Sequence, residues 1–284
     1  MSTILSSDEI DRFIAHLIAE DAAERDITTE SVVDEDIECN AVIESKEQGI
    51  VCGIDFAEMV FINIDPSINI TKIVQDGTTI SKGDILLELQ GKASVILAGE
   101  RIALNLIQHL SGISTLTAQF VNSVKSTKAV ITDTRKTVPG IRRFQKYAVT
   151  MGGGKNHRMN LADGILIKDN HIKFNEINGL SISDVVKKSR DNSEASADIE
   201  VEVDNLDQFR TVLVQEPDII LLDNMDTETM KMAVKINNNK ALLEASGGVT
   251  LSTVKAIAET GVDLISVGAL THSSSALDMS LNIL

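Results

Sequence analysis

Ala129-Val130-Ile131-Thr132 runs into Asp133-Thr134-Arg135-Lys136, and Gly164-Ile165-Leu166-Ile167 runs into Lys168-Asp169-Asn170-His171. Four more short apolar stretches follow the same plan. Asp198–Val203 holds Glu200 and Glu202 within its length, and Asp218–Leu222 ends at Asp223-Asn224. Ala241–Ala245 ends at Ser246-Gly247-Gly248, and Asp263–Val267 at Gly268-Ala269. A helix-compatible segment separates each run from the next, which predicts parallel strands with covering helices. Such a chain forms a barrel or a doubly wound sheet. In a (β/α) barrel the chemistry sits at the C-terminal ends of several different strands, and here the polar and glycine residues fall at those ends. A dinucleotide-binding sheet would instead concentrate its signal in one Gly-x-Gly-x-x-Gly turn, and the sequence has none. The barrel reading prevails, with six strands legible rather than eight.

Upstream the texture differs. Ile10, Phe13, Ile14, Leu17 and Ile18 recur at helical spacing, with Ser7 or Asp8 as the expected N-cap. Short β-like runs follow at Ala41–Glu44, Gly49–Cys52 and Ile73–Leu86, the last punctuated by the Asp76-Gly77 and Lys82-Gly83-Asp84 turns. This turn pattern is similar to that of biotinyl and lipoyl carrier sandwiches, but the lysine flanked by methionine that those carriers modify is missing. A long helical pattern then runs from Gly99 to about Lys125, with an expected interruption near Ser111-Gly112. The domain reading is therefore an N-terminal α/β sandwich over 1–111, with 273–284 returning to it, and an α/β barrel over 112–272.

The 284 residues are 43% apolar, enough to bury a sizeable core, so disorder as the main state is excluded. Acidic residues outnumber basic ones 42 to 26, a formal charge of −16. That balance disfavours nucleic acid and anionic membranes as general partners. No apolar run approaches the roughly 18 residues of a membrane span. The two cysteines, Cys39 and Cys52, are too few for a disulfide scaffold or a multi-cysteine zinc site, and a cytoplasmic location is expected. The charge is unevenly spread. Thr134–Lys173 carries nine Lys or Arg against Asp163 and Asp169, a local +7, which leaves 17 bases and 40 acids, or −23, elsewhere. Because these cations are interleaved with Gly, Pro, Asn and His, the window reads as a loop-built anion site.

Individual residues sharpen this. Arg135 and Lys136 at a strand end offer a bidentate fork and a mobile point charge. Gly152-Gly153-Gly154 before Lys155-Asn156-His157-Arg158 would let backbone amides turn toward an anion. Lys168 falls at the barrel mouth. Glu200 and Glu202 share one strand face, an expensive burial unless a cation or hydroxyls satisfy them. With Asp223 they suggest ribose hydroxyls or Mg²⁺, which one or two carboxylates and phosphate oxygens commonly hold. Ser246-Gly247-Gly248 and Gly268 would form a phosphate cradle at helix N-termini in the late loops. His16 and His109 read as structural or surface residues, and His272 lies close enough in sequence to Gly268 to approach the site.

Several motifs occur in a fixed order: ERIALN, LSGIST, TRKTVPG, KYAVTMGGGKNHRM, LIKDNH, EVEVDNLDQ, IILLDN, EASGGV and SVGALTHS. In that order they closely resemble the quinolinate phosphoribosyltransferase family over nearly the whole chain. The resemblance implies an N-terminal α/β sandwich, an open or incomplete α/β barrel, and a homodimer with active sites completed across subunits. It implies that Arg135, His157, Arg158 and Lys168 receive the carboxylates of quinolinate, with Arg101 reaching in from the partner and Lys136 near the charged groups. Glu202 and Asp223 would bind ribose hydroxyls or the Mg²⁺ of phosphoribosyl pyrophosphate, and Ser246, Gly247, Gly248 and Gly268 its 5′-phosphate. Lys136, Lys168, Glu202 and Asp223 are the implied catalytic set. The implied reaction gives nicotinate mononucleotide, CO₂ and pyrophosphate, a step of NAD biosynthesis. A same-fold relative using another pyridine or ribosyl acceptor, and a non-catalytic anion-binding module, are the alternatives.

Overall fold

The computed structural model describes residues 4–194 and 196–284. They form two compact units. One comprises the chain up to Ala118, Val138–Gly153 and Ser273–Leu284; the other comprises Gln119–Thr137 and Gly154–His272.

The first unit contains α1 (Ser7–Glu20), α2 (Ile27–Val32), β1 (Glu38–Ser45), β2 (Gly49–Ile50), α3 (Ile54–Ile64), β3 (Asn69–Lys72), β4 (Thr79–Ile80) and β5 (Ile85–Lys92). The N-cap of α1 lies one residue before the expected one: it is Ser6, and the Glu9 carboxylate accepts from its amide and hydroxyl at 3.2 and 2.9 Å. The antiparallel sheet places β1 between β5 and the chain's last strand, Met279–Ile283, with β3 outside β5. Asp76 of the Asp-Gly turn caps α3, accepting from the Gly53 and Ile54 amides at 2.9 Å each and from the Tyr147 hydroxyl at 2.8 Å. Burial raises its pKa, against those hydrogen bonds.

The long helix α4 spans Ala93–Val124 without a break. Ser111-Gly112 does not interrupt it. Gly112 is there because a Cβ at that position would strike the Ser275 carbonyl, so the glycine admits a passing backbone. The small polar residues around it serve the same close approach. Ser111 Oγ accepts from the Cys52 amide at 2.9 Å, Thr115 Oγ1 from the Ile50 amide at 2.9 Å, and Ser114 Oγ donates to the Ala148 carbonyl at 2.8 Å. Each buried hydroxyl thereby has the partner that burial demands.

The units therefore part at 118/119 inside α4, whereas the sequence suggested 111/112. Helix α5 (Arg142–Met151) also joins the first unit. Its Phe144 ring lies 4.2 Å from that of Phe13 and 5.2 Å from that of Phe56, and Ala148 and Val149 are fully buried. Apolar burial of this size outweighs chain proximity in deciding where the segment packs.

The second unit is one parallel sheet with helical crossovers: β6 (Val130–Thr132), β7 (Ile165–Ile167), α6 (Asp169–Ile177), α7 (Ile182–Asn192), β8 (Ile199–Val203), α8 (Leu206–Leu213), β9 (Ile219–Asp223), α9 (Thr227–Asn237), β10 (Leu242–Ser246), α10 (Val254–Ala258), β11 (Leu264–Ser266) and α11 (Ala269–His272). All six expected strands are present, each within one residue of its expected start. Their order is β6-β11-β10-β9-β8-β7. Adjacent pairs are all parallel, as in a barrel, but β6 and β7 stay unjoined and the barrel is open. Lys155 covers the outer side of β6: its amide donates to Ile131 and its carbonyl accepts from Asp133, at 2.9 and 3.1 Å.

Candidate active site

Strand polarity dictates where the site falls. Each parallel strand ends at the same rim, so the residues that close β6 to β11 converge there. They line a cavity of about 280 Å³ that brings together Arg135, Lys136, His157, Arg158, Lys168, Glu202, Asp223 and Ser246. Five cationic or imidazole groups and three carboxylates, Glu202, Asp223 and Glu244, share this mouth although the chain's overall charge is −16.

Their supports are local. Lys168 terminates β7 as the N-cap of α6, and its amide donates to His171 Nδ1 at 2.9 Å, so the histidine of the Lys-Asp-Asn-His run shapes the turn. The Lys168 ammonium meets Glu202 at 2.5 Å, from the far end of β8. Asp223 ends β9 and accepts from Asn224 Nδ2 at 2.7 Å. The Lys136 carbonyl accepts from the Thr271 hydroxyl at 2.7 Å, which ties the Arg135-Lys136 turn to the Gly268 loop. A Cβ on Gly268 would stand 3.0 Å from the Lys136 side chain and 3.2 Å from His272 Nε2, so His272 is a neighbour of the site. His109 forms a 3.0 Å contact with Gln145, and His16 is exposed.

Beneath the mouth lies a buried layer. His157 Nε2 stands 3.0 Å from a Glu200 oxygen and 3.4 Å from one of Glu244. Burial opposes charge on the ring, and the two carboxylates outweigh it, raising the His157 pKa. The Arg158 amide, donating to Nδ1 at 2.7 Å, works the other way by turning an N–H toward that nitrogen. Burial likewise raises the pKa of Glu200, helped by the charge of Glu244. Glu200 thus faces His157 while its strand neighbour Glu202 faces Lys168, and the shared face splits into two ion pairs at different depths.

Two expectations need correction. The amides of Gly152 and Gly153 close the end of α5, donating to Ala148 and Thr150 at 3.1 and 3.0 Å, and a Cβ on Gly152 would strike the Ser114 carbonyl. These glycines end and pack a helix; they do not cradle an anion. Nor do the late loops open directly into long helices. Gly247 and Gly248 have φ of +93° and +57°, α10 begins only at Val254, and α11 has four residues. Gly247 is required because a Cβ would overlap the Asn224 side chain. Any phosphate cradle here is a left-handed loop rather than a helix dipole. Arg101 lies apart from these groups in sequence, on α4 in the first unit, with a side chain 62% exposed. Glu244 was missed, although its lone carboxylate in the apolar run Ala241–Ala245 was a legible signal.

An open parallel barrel whose mouth gathers cations beside carboxylates defines an enzyme that brings two anionic substrates together. The comparisons agree. The N- and C-terminal domain profiles of quinolinate phosphoribosyl transferase match residues 26–111 and 113–282. A protein of Bacillus subtilis called a probable nicotinate-nucleotide pyrophosphorylase (carboxylating) is 39% identical over 97% of this chain and 93% of its own. The nicotinate-nucleotide pyrophosphorylase (carboxylating) of Mycobacterium leprae is 41% identical over 91% of each. The structure of the nicotinate-nucleotide pyrophosphorylase from Francisella tularensis superposes with a TM-score of 0.93 at 40% identity, covering all of both chains. The chain belongs to the quinolinate phosphoribosyltransferase family.

Proposed function

We propose that this chain transfers the phosphoribosyl group of phosphoribosyl pyrophosphate to quinolinate with loss of CO₂, giving nicotinate mononucleotide and pyrophosphate. The carrying observation is the single mouth that Arg135, Lys136, Arg158 and Lys168 share with Glu202 and Asp223. Two polyanions repel each other, and fixed cations remove that barrier while orienting the reacting atoms. Arg135, Arg158 and Lys168, with His157, receive the two carboxylates of quinolinate. The pyridine nitrogen then attacks the anomeric carbon, the C–O bond to pyrophosphate breaks, and charge develops on the ribose ring. Lys136 meets the charged groups of the substrates. Glu202 and Asp223 hold the ribose hydroxyls, and Ser246, Gly247, Gly248 and Gly268 receive the 5′-phosphate. The positively charged ring next accepts the electron pair left by CO₂, and a proton replaces the carboxylate.

The donor set also fits Mg²⁺: two carboxylates at one mouth leave room for substrate oxygens. Glu202 and Asp223 would hold the ion, which when bound neutralises pyrophosphate charge. Purified protein with phosphoribosyl pyrophosphate, Mg²⁺ and quinolinate should release CO₂ and mononucleotide. Chelation should abolish turnover, and added Mg²⁺ should restore it. Turnover of nicotinate alone would overturn the carboxylating assignment, and undiminished activity under chelation would remove the ion's role.

We also propose a homodimer in which Arg101 serves the partner's site. Arg101→Ala and Lys168→Ala should each be inactive, yet refolding a 1:1 mixture should restore about a quarter of full activity, since half the dimers would carry one intact site. A mixture as inactive as its parts would mean that Arg101 serves its own subunit's site. The two cysteines, unpaired in the structure, fit a reducing cytoplasm, and no described helix is long and apolar enough to cross a membrane.

A further inference from the structure

Glu244 is 1% exposed and Glu200 3%; only one of their four carboxylate oxygens, on Glu200, has a hydrogen-bond partner, and Glu244 meets the His157 ring through charge at 3.4 Å. Two buried carboxylates facing one imidazole leave an excess negative charge that repels itself and costs stability. Their presence therefore points to a task other than holding the fold.

Geometry shows what they touch. The three ligand-type atoms of His157, Glu200 and Glu244 lie within 4.8 Å of one another, close enough to suggest a metal. The ring argues against one. A metal-bound histidine normally donates its second nitrogen's proton outward, whereas here Nδ1 accepts the Arg158 amide. In either charge state of the ring the carboxylates favour a proton on Nε2, which leaves no lone pair there for a cation.

The consequence runs along the chain to Arg158. The His157 amide donates to Asp133 at 2.9 Å, and Asn156 Nδ2 to the same carboxylate at 2.6 Å. The His157 ring fixes the Arg158 amide, and Arg158 Nη1 donates to the Gly164 carbonyl at 3.2 Å. His157 and Arg158 also form the wall between the catalytic mouth and a second cavity of about 400 Å³, lined by Asp198, Ile219 and Leu264 at the opposite ends of the strands. Glu200 lines the rear cavity and Glu244 the mouth.

We infer that Glu244 and Glu200 are positioning residues that clamp the His157 ring, and through it set the place of Arg158 and keep the wall behind the quinolinate subsite closed. This rests on the assignment of Arg158 to quinolinate. The clamp holds a peptide segment and its side chains, and Glu244 acts on the mouth that it lines through the His157 ring.

Glu244→Gln, nearly isosteric, tests this, with Glu200→Gln as a second variant at the shorter contact. Glu244→Gln is expected to melt at or above the temperature of the unaltered chain. Its KM for quinolinate should rise at least tenfold, while its KM for phosphoribosyl pyrophosphate stays within twofold. Equal rises in both constants, or unchanged constants in both variants, would overturn the clamp, as would a large fall in melting temperature with kinetics intact. Stoichiometric metal lost on substitution would replace it with an ion site. The unaltered chain assayed alongside separates the two claims: if it does not consume quinolinate, the functional reading fails, whereas normal turnover with indifferent variants sinks only the clamp.

Discussion

Lys168→Ala should lower kcat/KM for quinolinate by about 10³-fold or more, with little change in melting temperature. The Lys168 side chain is 46% exposed, and its ion pair is with Glu202 at the cavity rim. Water and salt reach the half-exposed Lys168 end of this pair and screen it, so it contributes little to folding although Glu202 is only 10% exposed. The same charge at a cavity that binds a dianion is worth far more, since preorganised donors there meet charge with no reorganisation. Arg158→Ala should lose activity to a similar degree, but with a stability cost, because its guanidinium also holds the Gly164 carbonyl. Steady-state kinetics beside thermal unfolding distinguishes the two. A Lys168→Ala chain retaining most of its kcat/KM would remove the residue from the catalytic set.

Gly112→Ala should destabilise the first unit by about 3 kcal/mol or more, although in an open helix the same change stabilises by about 1 kcal/mol. The sign is decided by the Ser275 carbonyl, which occupies the space a Cβ needs and belongs to backbone that cannot rotate away. Either the last segment shifts or α4 bends, and both disturb the serine and threonine contacts with Cys52, Ile50 and Ala148. Thermal or denaturant unfolding reads this directly. A Gly112→Ala chain more stable than its parent would mean that the approach relaxes cheaply.

Gly112 also shows where the sequence is legible and where it is not. A glycine in an apolar helical pattern reads as a break, because local propensity is all that a single sequence displays. The reason for this one lies 163 positions away, at Ser275. Gly152 is similar: its neighbours suggested a phosphate loop, and it proves to be a helix end pressed against Ser114. The six parallel strands were legible because each apolar run is short, bounded and followed by polar residues, a pattern that needs no tertiary knowledge. The site was legible for the same reason, since strand ends meet at one rim whatever the loops do. What stayed hidden was pairing. Alternation placed Glu200 and Glu202 on one face but gave no hint that one serves His157 and the other Lys168. Glu244 stood out as a lone acid in an apolar run, but its partner His157 comes from another segment and no local pattern names it.

The unclosed seam between β6 and β7 bears on how the protein keeps to itself. A sheet that fails to close exposes backbone donors and acceptors to any other chain, the usual route to aggregation. Here each bordering strand is three residues long, too short to template a stable foreign strand. The Lys155 backbone already occupies the outer side of β6, and β7 stops at the charged pair Lys168-Asp169. Lengthening β7, or replacing that pair with apolar residues, would give the seam a sticky border, and insolubility would then precede any loss of catalysis.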